Sequence, residues 1–306
     1  MIQVIKGSGQ EVTFKSLYSH LTNDDVATES LKTITDESLK QKIIKFLKQS
    51  KYDREQKLSG LISQLSPFAE GELAPLVNGD DGKGRGYFSI SDFVENGSSK
   101  GDCGSWYRGA LVVSIQSLKY QEIGSRLGKI ILQEVAYAVS LREQKSNKRF
   151  LSLFLDEFSE FTYKGFISLL NKARSSEVAI HLCHQSLGDL TSVSQDFAKS
   201  VNTNTNVKCI LGVNDPETAD FYAKHMGTKS TEKVTEQAES KFFGGHERTG
   251  SMSVREVDEY KIHPNRLKSF SHGLGALHLP SKSGNITETL QFALFDHDNE
   301  AGKEAS

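Results

Sequence analysis

The sequence predicts an α/β fold, a mostly parallel sheet with helices on both faces, preceded by a small all-helical domain. Two observations carry this expectation. Residues 110–226 alternate short aliphatic runs with longer stretches of helical period, and such alternation builds parallel strands because each crossover helix packs back on the sheet it leaves. Residues 14–75 instead run for dozens of positions without glycine and keep apolar side chains at helical spacing. At 306 residues, with 37% hydrophobic and 25% charged, the chain can bury one substantial core and a smaller satellite.

In the first segment Leu39, Ile43, Ile44, Phe46 and Leu47 make one apolar stripe, and Leu58, Leu61, Ile62 and Leu65 make another. These read as helix packing rather than as a ligand site. The helical domain is expected over residues 1–77, and the second domain over 78–306. "NGDDGKGRGYF", residues 78 to 88, is dense in glycine and charge and reads as the connection. "ALVVSI" at 110–115 predicts a strand. A helix follows over 120–143, where Ile123, Leu127, Ile130, Ile131, Val135 and Val139 recur at helix period.

"FLSLFL" is the next strand, followed by a helix over 161–174, a strand over 178–185, a helix over 186–199 and a strand over 207–213. The helix over 216–226 is marked by Asn214 or Asp215 ahead of Pro216, and by Gly227 after its end. Residues 228–253 lose all periodicity and read as a long polar loop. "HPNRL" predicts a turn or short helix, and "GLGALHLP" and "TETLQFALF" predict closing strands.

Composition narrows the function. The 37 Lys and Arg nearly balance the 39 Asp and Glu, so any contact with nucleic acid has to be local. Cys103, Cys183 and Cys209 show no paired spacing, which suits a reducing compartment. No run approaches the roughly 18 apolar residues of a membrane helix, and the start lacks a signal peptide, so the expectation is a cytoplasmic chain.

The chemistry concentrates in "FLSLFLDEFSEF", residues 150 to 161. An aliphatic strand ending in Asp156-Glu157 matches the Walker B pattern, in which the Asp holds the magnesium hydration shell and the Glu polarises an attacking water. Asp156 would serve equally as the N-cap of the next helix, with Glu157 at its positive end. The partner motif GxxxxGK[ST] is missing: Gly82-Lys83 runs into Gly84, and Gly128-Lys129 lies in a helical stretch and runs into Ile130. Arg174 ends the next helix, where a cation is favourable in any case. Gln185 ends the following strand, at the edge where open parallel sheets bind ligands. His181 and Cys183 fall on one face of that strand and His184 on the other, so the three do not converge on a metal. No GxSxG is present.

Taken in order, "FLSLFLDEF", "LLNKARSSEVAIHLCHQSLGDL", "NTNTNVKCILGVNDPETADFYAKHMGT" and "SVREVDEYKIHPNRLKSFSHGLGALHLP" resemble the conjugative coupling proteins of type IV secretion systems, the TraG/TraD-like P-loop ATPases. The resemblance runs over residues 105 to 295 and implies a RecA-like motor domain. The helical segment looks like the family's all-helical domain, inserted after the phosphate loop, which puts that loop upstream of Met1.

By this resemblance Asp156 matches the residue that holds Mg2+ through water, and Glu157 the one that activates water. Gln185 matches a glutamine that senses the terminal phosphate, and Arg174 an arginine that reaches the nucleotide of a neighbouring subunit. The family further implies ATP and Mg2+ in the full-length protein, a hexameric homo-oligomer, DNA-dependent ATPase activity and inner-membrane anchoring. Its implied partners are DNA, a relaxase or other secretion substrate, and inner-membrane components of the secretion system. This chain departs from the pattern in lacking both the membrane helices and the Walker A loop. Lys229, Lys233, Lys241 and Arg248 in the polar segment are the candidates for DNA contact on the pore side, against the plain reading of a solvated loop. Two other functions compete: another DNA pump of the same ATPase superfamily, and a catalytically silent docking module for secretion substrates.

Overall fold

The computed structural model describes residues 1–79, 88–96, 98–100, 106–146, 148–241 and 245–293. The chain divides into two compact units, Met1–Ala138 and Val139–Ser306.

In the first unit, α1 (Ile2–Gly7) is followed by α2 (Phe14–Thr22), α3 (Asp24–Thr33), α4 (Glu37–Leu47) and α5 (Lys51–Ala69). Short polar residues begin the last four of these. Thr13, Asn23, Asp36 and Ser50 each accept first-turn backbone N–H groups on a side-chain oxygen, and such a cap contributes about 1 kcal/mol. Val4, Leu31 and Ile34 form a buried core on which Leu39, Ile43, Ile44 and Leu47 pack, so most of the first apolar stripe faces inward. Arg54 is buried and forks onto Asp24, its Nη1 donating at 2.6 Å, which ties α5 to α3. The unit continues through α6 (Ala74–Val77), α7 (Ile90–Asn96), an antiparallel pair β1 (Ser98–Lys100) and β2 (Trp106–Arg108), and most of α8 (Ser117–Arg142). Residues 1–79 carry helices and turns only, while the compact unit itself extends past the expected 77/78 boundary.

The strand expected over 110–115 is absent. Residues 110–116 carry no regular secondary structure, and Val112 is 85% exposed. An aliphatic run becomes a strand only when another strand takes up its N–H and C=O groups, and no described strand pairs with this segment.

The second unit is built on β3 (Leu151–Leu155) and β4 (Val178–Leu182), which pair in parallel from Leu151↔Val178 to Leu155↔Leu182. Their crossover contains a 3-10 turn (Phe158–Phe161) and α9 (Phe166–Ala173), so the helix expected over 161–174 is shorter and begins after Gly165. Phe158 and Phe166 are fully buried with ring centroids 4.7 Å apart, and they anchor the crossover. The helix expected over 186–199 is two, α10 (Leu187–Thr191) and α11 (Gln195–Asn204), because the Ser194 hydroxyl accepts from Phe197 N and starts a fresh helix.

β5 (Lys208–Ile210) and α12 (Pro216–Met226) follow. Asp215 caps α12, and Gly227 at φ 86 ends it. Next come β6 (Thr228–Lys241) and β7 (Gly245–Tyr260), then α13 (Pro264–Lys268), β8 (Leu274–Leu279) and β9 (Ile286–Gln291). β5 pairs antiparallel with β8, and β8 with β9, so parallel pairing is confined to β3 and β4 among the described residues. Ile210, Val213, Tyr222, Met226, Ile262, Leu267 and Ala276 form the core beneath these three strands.

The long polar loop expected over 228–253 is instead the larger part of an antiparallel hairpin made by β6 and β7. Its polar composition hid it, because a run without an apolar face gives no hydrophobic period. Thr and Val at 228, 231, 234, 235, 254 and 257 are the residues that favour the extended backbone.

Candidate functional site

The carboxyl ends of β3 and β4 are locked together beyond the paired residues. The Cys183 N–H donates to Leu155 O at 2.9 Å, and Phe158 N donates to Cys183 O at 2.9 Å. Asp156 and Glu157 lie between these two bonds and form a short step facing Cys183. Glu157 takes a left-handed conformation, φ 47 and ψ 47, which turns the chain so that Phe158 enters the core while both carboxylates stay exposed. Asp156 Oδ1 accepts from Glu157 N at 3.0 Å. A non-glycine residue in this region costs on the order of 1 kcal/mol or more, and such costs gather at functional sites.

Gln185 lies on the same edge, at the end of β4, and is exposed. Its backbone is fixed from below. Asp189 Oδ2 accepts from Gln185 N at 2.8 Å and from Ser186 N at 2.9 Å, one arm of a capping box with Ser186. Leu187 N donates to Thr218 Oγ1 at 3.0 Å, and Thr218 N donates to Asp215 Oδ2 at 2.9 Å, so the start of α12 braces the start of α10. The Thr218 side chain and backbone hold the Asp215 carboxyl below its usual range. Beside this turn, His184 Nδ1 meets Ser186 O at 2.9 Å and Tyr222 OH donates to Asn202 Oδ1 at 3.3 Å; burial pushes the Tyr222 phenol up to about 12. Asp189, Thr218 and Asn202 escaped the sequence reading. Only Asp189 left a signal there, in the S-x-x-D spacing of "SLGD".

Arg174 is not brought to this edge. It is exposed at the end of α9, its carbonyl accepts from Glu177 N, and Glu177 O in turn accepts from Leu151 N, at the amino end of the sheet. Five strand residues at about 3.3 Å each, or about 16 Å, separate the two edges. His181 lies on the exposed face stacked on Phe154 at 4.2 Å, and His184 turns inward, as the alternation requires. Lys229 and Lys233 project from β6, and Lys233 Nζ is paired with Glu259 at 2.8 Å. Lys241 and Arg248 lie in β6 and β7, with their side chains outside the described residues.

The donor set at the edge suits a magnesium ion held chiefly by phosphate and water. Two exposed carboxylates at a strand end can order its hydration shell, and no cage of three or more His, Cys, Asp or Glu exists among the described residues. No described helix is long and apolar enough to cross a membrane.

Residues 151–271 match the family described as the TraM recognition site of TraD and TraG. The chain is 33% identical over 81 residues to the type 4 coupling protein DotL of Legionella pneumophila, a match covering 26% of this chain and 10% of that protein. Its fold is similar to that of the bacterial conjugative coupling protein TrwBdeltaN70 in the unbound form, with TM-score 0.63 at 14% identity over 93% of this chain. TrwB in complex with ADP and Mg2+ gives TM-score 0.57 at 16% identity, again over 93% of this chain. The chain spans 58% of each of these TrwB chains. The likeness to the coupling proteins TraD and TraG thus rests on residues 151–271, about two fifths of the chain, and the likeness to TrwB is one of fold.

Proposed function

We propose that this chain is the Walker B half of a DNA-translocating ATPase, one that couples relaxase-bound DNA to a type IV secretion channel as a ring of identical subunits. The supporting observation is the acidic step at Asp156-Glu157, carried on the carboxyl edge of a parallel strand pair, with Gln185 three residues past the end of the partner strand. A bound magnesium nucleotide supplies the phosphoryl group to be transferred. Asp156 would hold the hydration shell of the magnesium, Glu157 would polarise the attacking water and take its proton, and the Gln185 amide would sense the terminal phosphate. Arg174, on the far edge of its own subunit, is assigned to the nucleotide of the next subunit, where its planar fork of donors would stabilise transferring charge.

The test is DNA-stimulated phosphate release by the polypeptide that joins these residues to a phosphate loop. Glu157→Gln should bind ATP normally and lose the stimulated turnover, and wild-type turnover in that variant refutes the assignment. A second reading, a silent docking module for secretion substrates, draws on the family match over residues 151–271, which is described as a recognition site. It predicts that Glu157→Gln changes neither nucleotide binding nor transfer of the secretion substrate.

A further inference from the structure

The β6–β7 hairpin sorts its charges by face. Directly opposed residues of an antiparallel pair project to the same side, and successive pairs alternate. Lys229↔Glu259, Thr231↔Val257 and Lys233↔Arg255 therefore share one face, while Ser230↔Asp258 and Glu232↔Glu256 share the other. Over the residues whose side chains are described, the first face carries three cations and one carboxylate. The second carries three carboxylates and no cation.

Two of these pairs set like charges directly across from each other, Lys233 against Arg255 and Glu232 against Glu256, back to back at neighbouring register positions. Each such pair destabilises a hairpin by a few tenths of a kcal/mol. All four side chains are exposed; Lys233 pairs with Glu259 at 2.8 Å and Glu256 accepts from Ser230 Oγ at 2.7 Å, which leaves Arg255 and Glu232 facing like charge without an ion pair among the described residues. The hairpin also lacks a third strand among the described residues, and a two-stranded ribbon is marginal in water by itself. A hairpin this long, with repulsion on both faces, is stabilised when each face meets the opposite charge.

We propose that the hairpins of adjacent copies of this chain dock face to face, with Lys229, Lys233 and Arg255 of one copy against Glu232, Glu256 and Asp258 of the next. Both complementary faces are present on every copy, so a second copy offers what each face lacks. Nucleic acid fits less well: phosphates would satisfy the basic face alone and would be repelled by the carboxylates on its reverse. The contact rests on the hairpin's own charges and is independent of the nucleotide chemistry at Asp156 and Glu157.

The test is a charge exchange on the full chain, read by sedimentation equilibrium at low salt and repeated at high salt. Lys233→Glu with Arg255→Glu makes both faces acidic, and Glu232→Lys with Glu256→Lys makes both basic. Each double variant alone should self-associate at least about tenfold more weakly than wild type, and the wild-type association should weaken with salt. An equimolar mixture of the two variants should recover association, which a merely misfolded variant could not do; circular dichroism of each variant alone checks its fold. Wild-type chains that stay monomeric at low salt, variants that associate like wild type, or a mixture without recovery overturn the proposal. So does a loss of binding to an oligo(dT) strand in the acidic variant with self-association unchanged, which would assign the basic face to DNA.

Discussion

Asp189 offers the sharpest test of how the carboxyl edge is built. Its Oδ2 receives two backbone N–H groups, from Gln185 at 2.8 Å and Ser186 at 2.9 Å, in a turn that is partly open to solvent. A hydrogen bond to a charged group contributes about 1.5–3 kcal/mol when it is sheltered. Here water can replace the carboxylate once it is removed, so the loss falls nearer that of a helix cap. Asp189→Ala should cost about 1–2 kcal/mol. For a unit of this size that is a fall of about 3–6 °C in Tm by calorimetry. Amide exchange at Gln185 and Ser186 should quicken together, while the amide of Cys183, bonded to Leu155 O within the ladder, stays protected. Asp189→Asn keeps an oxygen acceptor without the charge and should lose about half as much. An Asp189→Ala protein with unchanged melting and unchanged exchange at both amides would show that the turn is held by something other than this carboxylate.

Three other outcomes follow from the same structure. Phe158 is fully buried between Phe166 and Phe197, so Phe158→Ala should lose about 3–5 kcal/mol in urea unfolding, and a loss below about 1 kcal/mol would contradict the packing. Burial holds the Lys208 ammonium down to about 8 from 10.5 while it donates to Asn202 O at 2.8 Å. Between about pH 8 and 10 the unfolded chain therefore keeps a proton that the folded chain has released, and wild-type stability should rise relative to Lys208→Met by up to about 2 kcal/mol; a difference that stays flat across this window refutes it. Asp215 has its carboxyl pKa depressed by Thr218, so its contribution is present above the ordinary Asp range and disappears as the pH falls through the lowered value. Asp215→Asn should flatten that acid limb of the melting curve, and an unchanged limb would count against the cap.

The strand–helix alternation was readable wherever a strand has a dry face. "FLSLFL" and "VAIHL" were legible because a half-buried parallel pair keeps aliphatic side chains, and α12 was legible to the residue because Pro216 and Gly227 punctuate it. "ALVVSI" looked the same as these strands, yet its pairing depends on a partner strand that its own six residues do not encode. β5 carried the right residues and the wrong direction: a composition such as "VKCILGV" does not say whether its neighbour runs parallel, and β8 lies far along the chain. The hairpin was invisible because charge on both faces removes the hydrophobic period altogether. At the site, the strand-end position of Asp156 and Glu157 followed from topology. The brace from Asp215 through Thr218 to Leu187 spans 31 residues between its last two members and could only come from the fold.

The left-handed backbone at Glu157 carries its own consequence for anyone reshaping this chain. Glycine or asparagine would occupy that spot at less conformational expense, so a laboratory screen for heat resistance alone would tend to erase the acid there. Ruggedness and the carboxylate pull in opposite directions at one residue, and any thermostabilised descendant should be sequenced at position 157 before its silence is blamed on a missing partner.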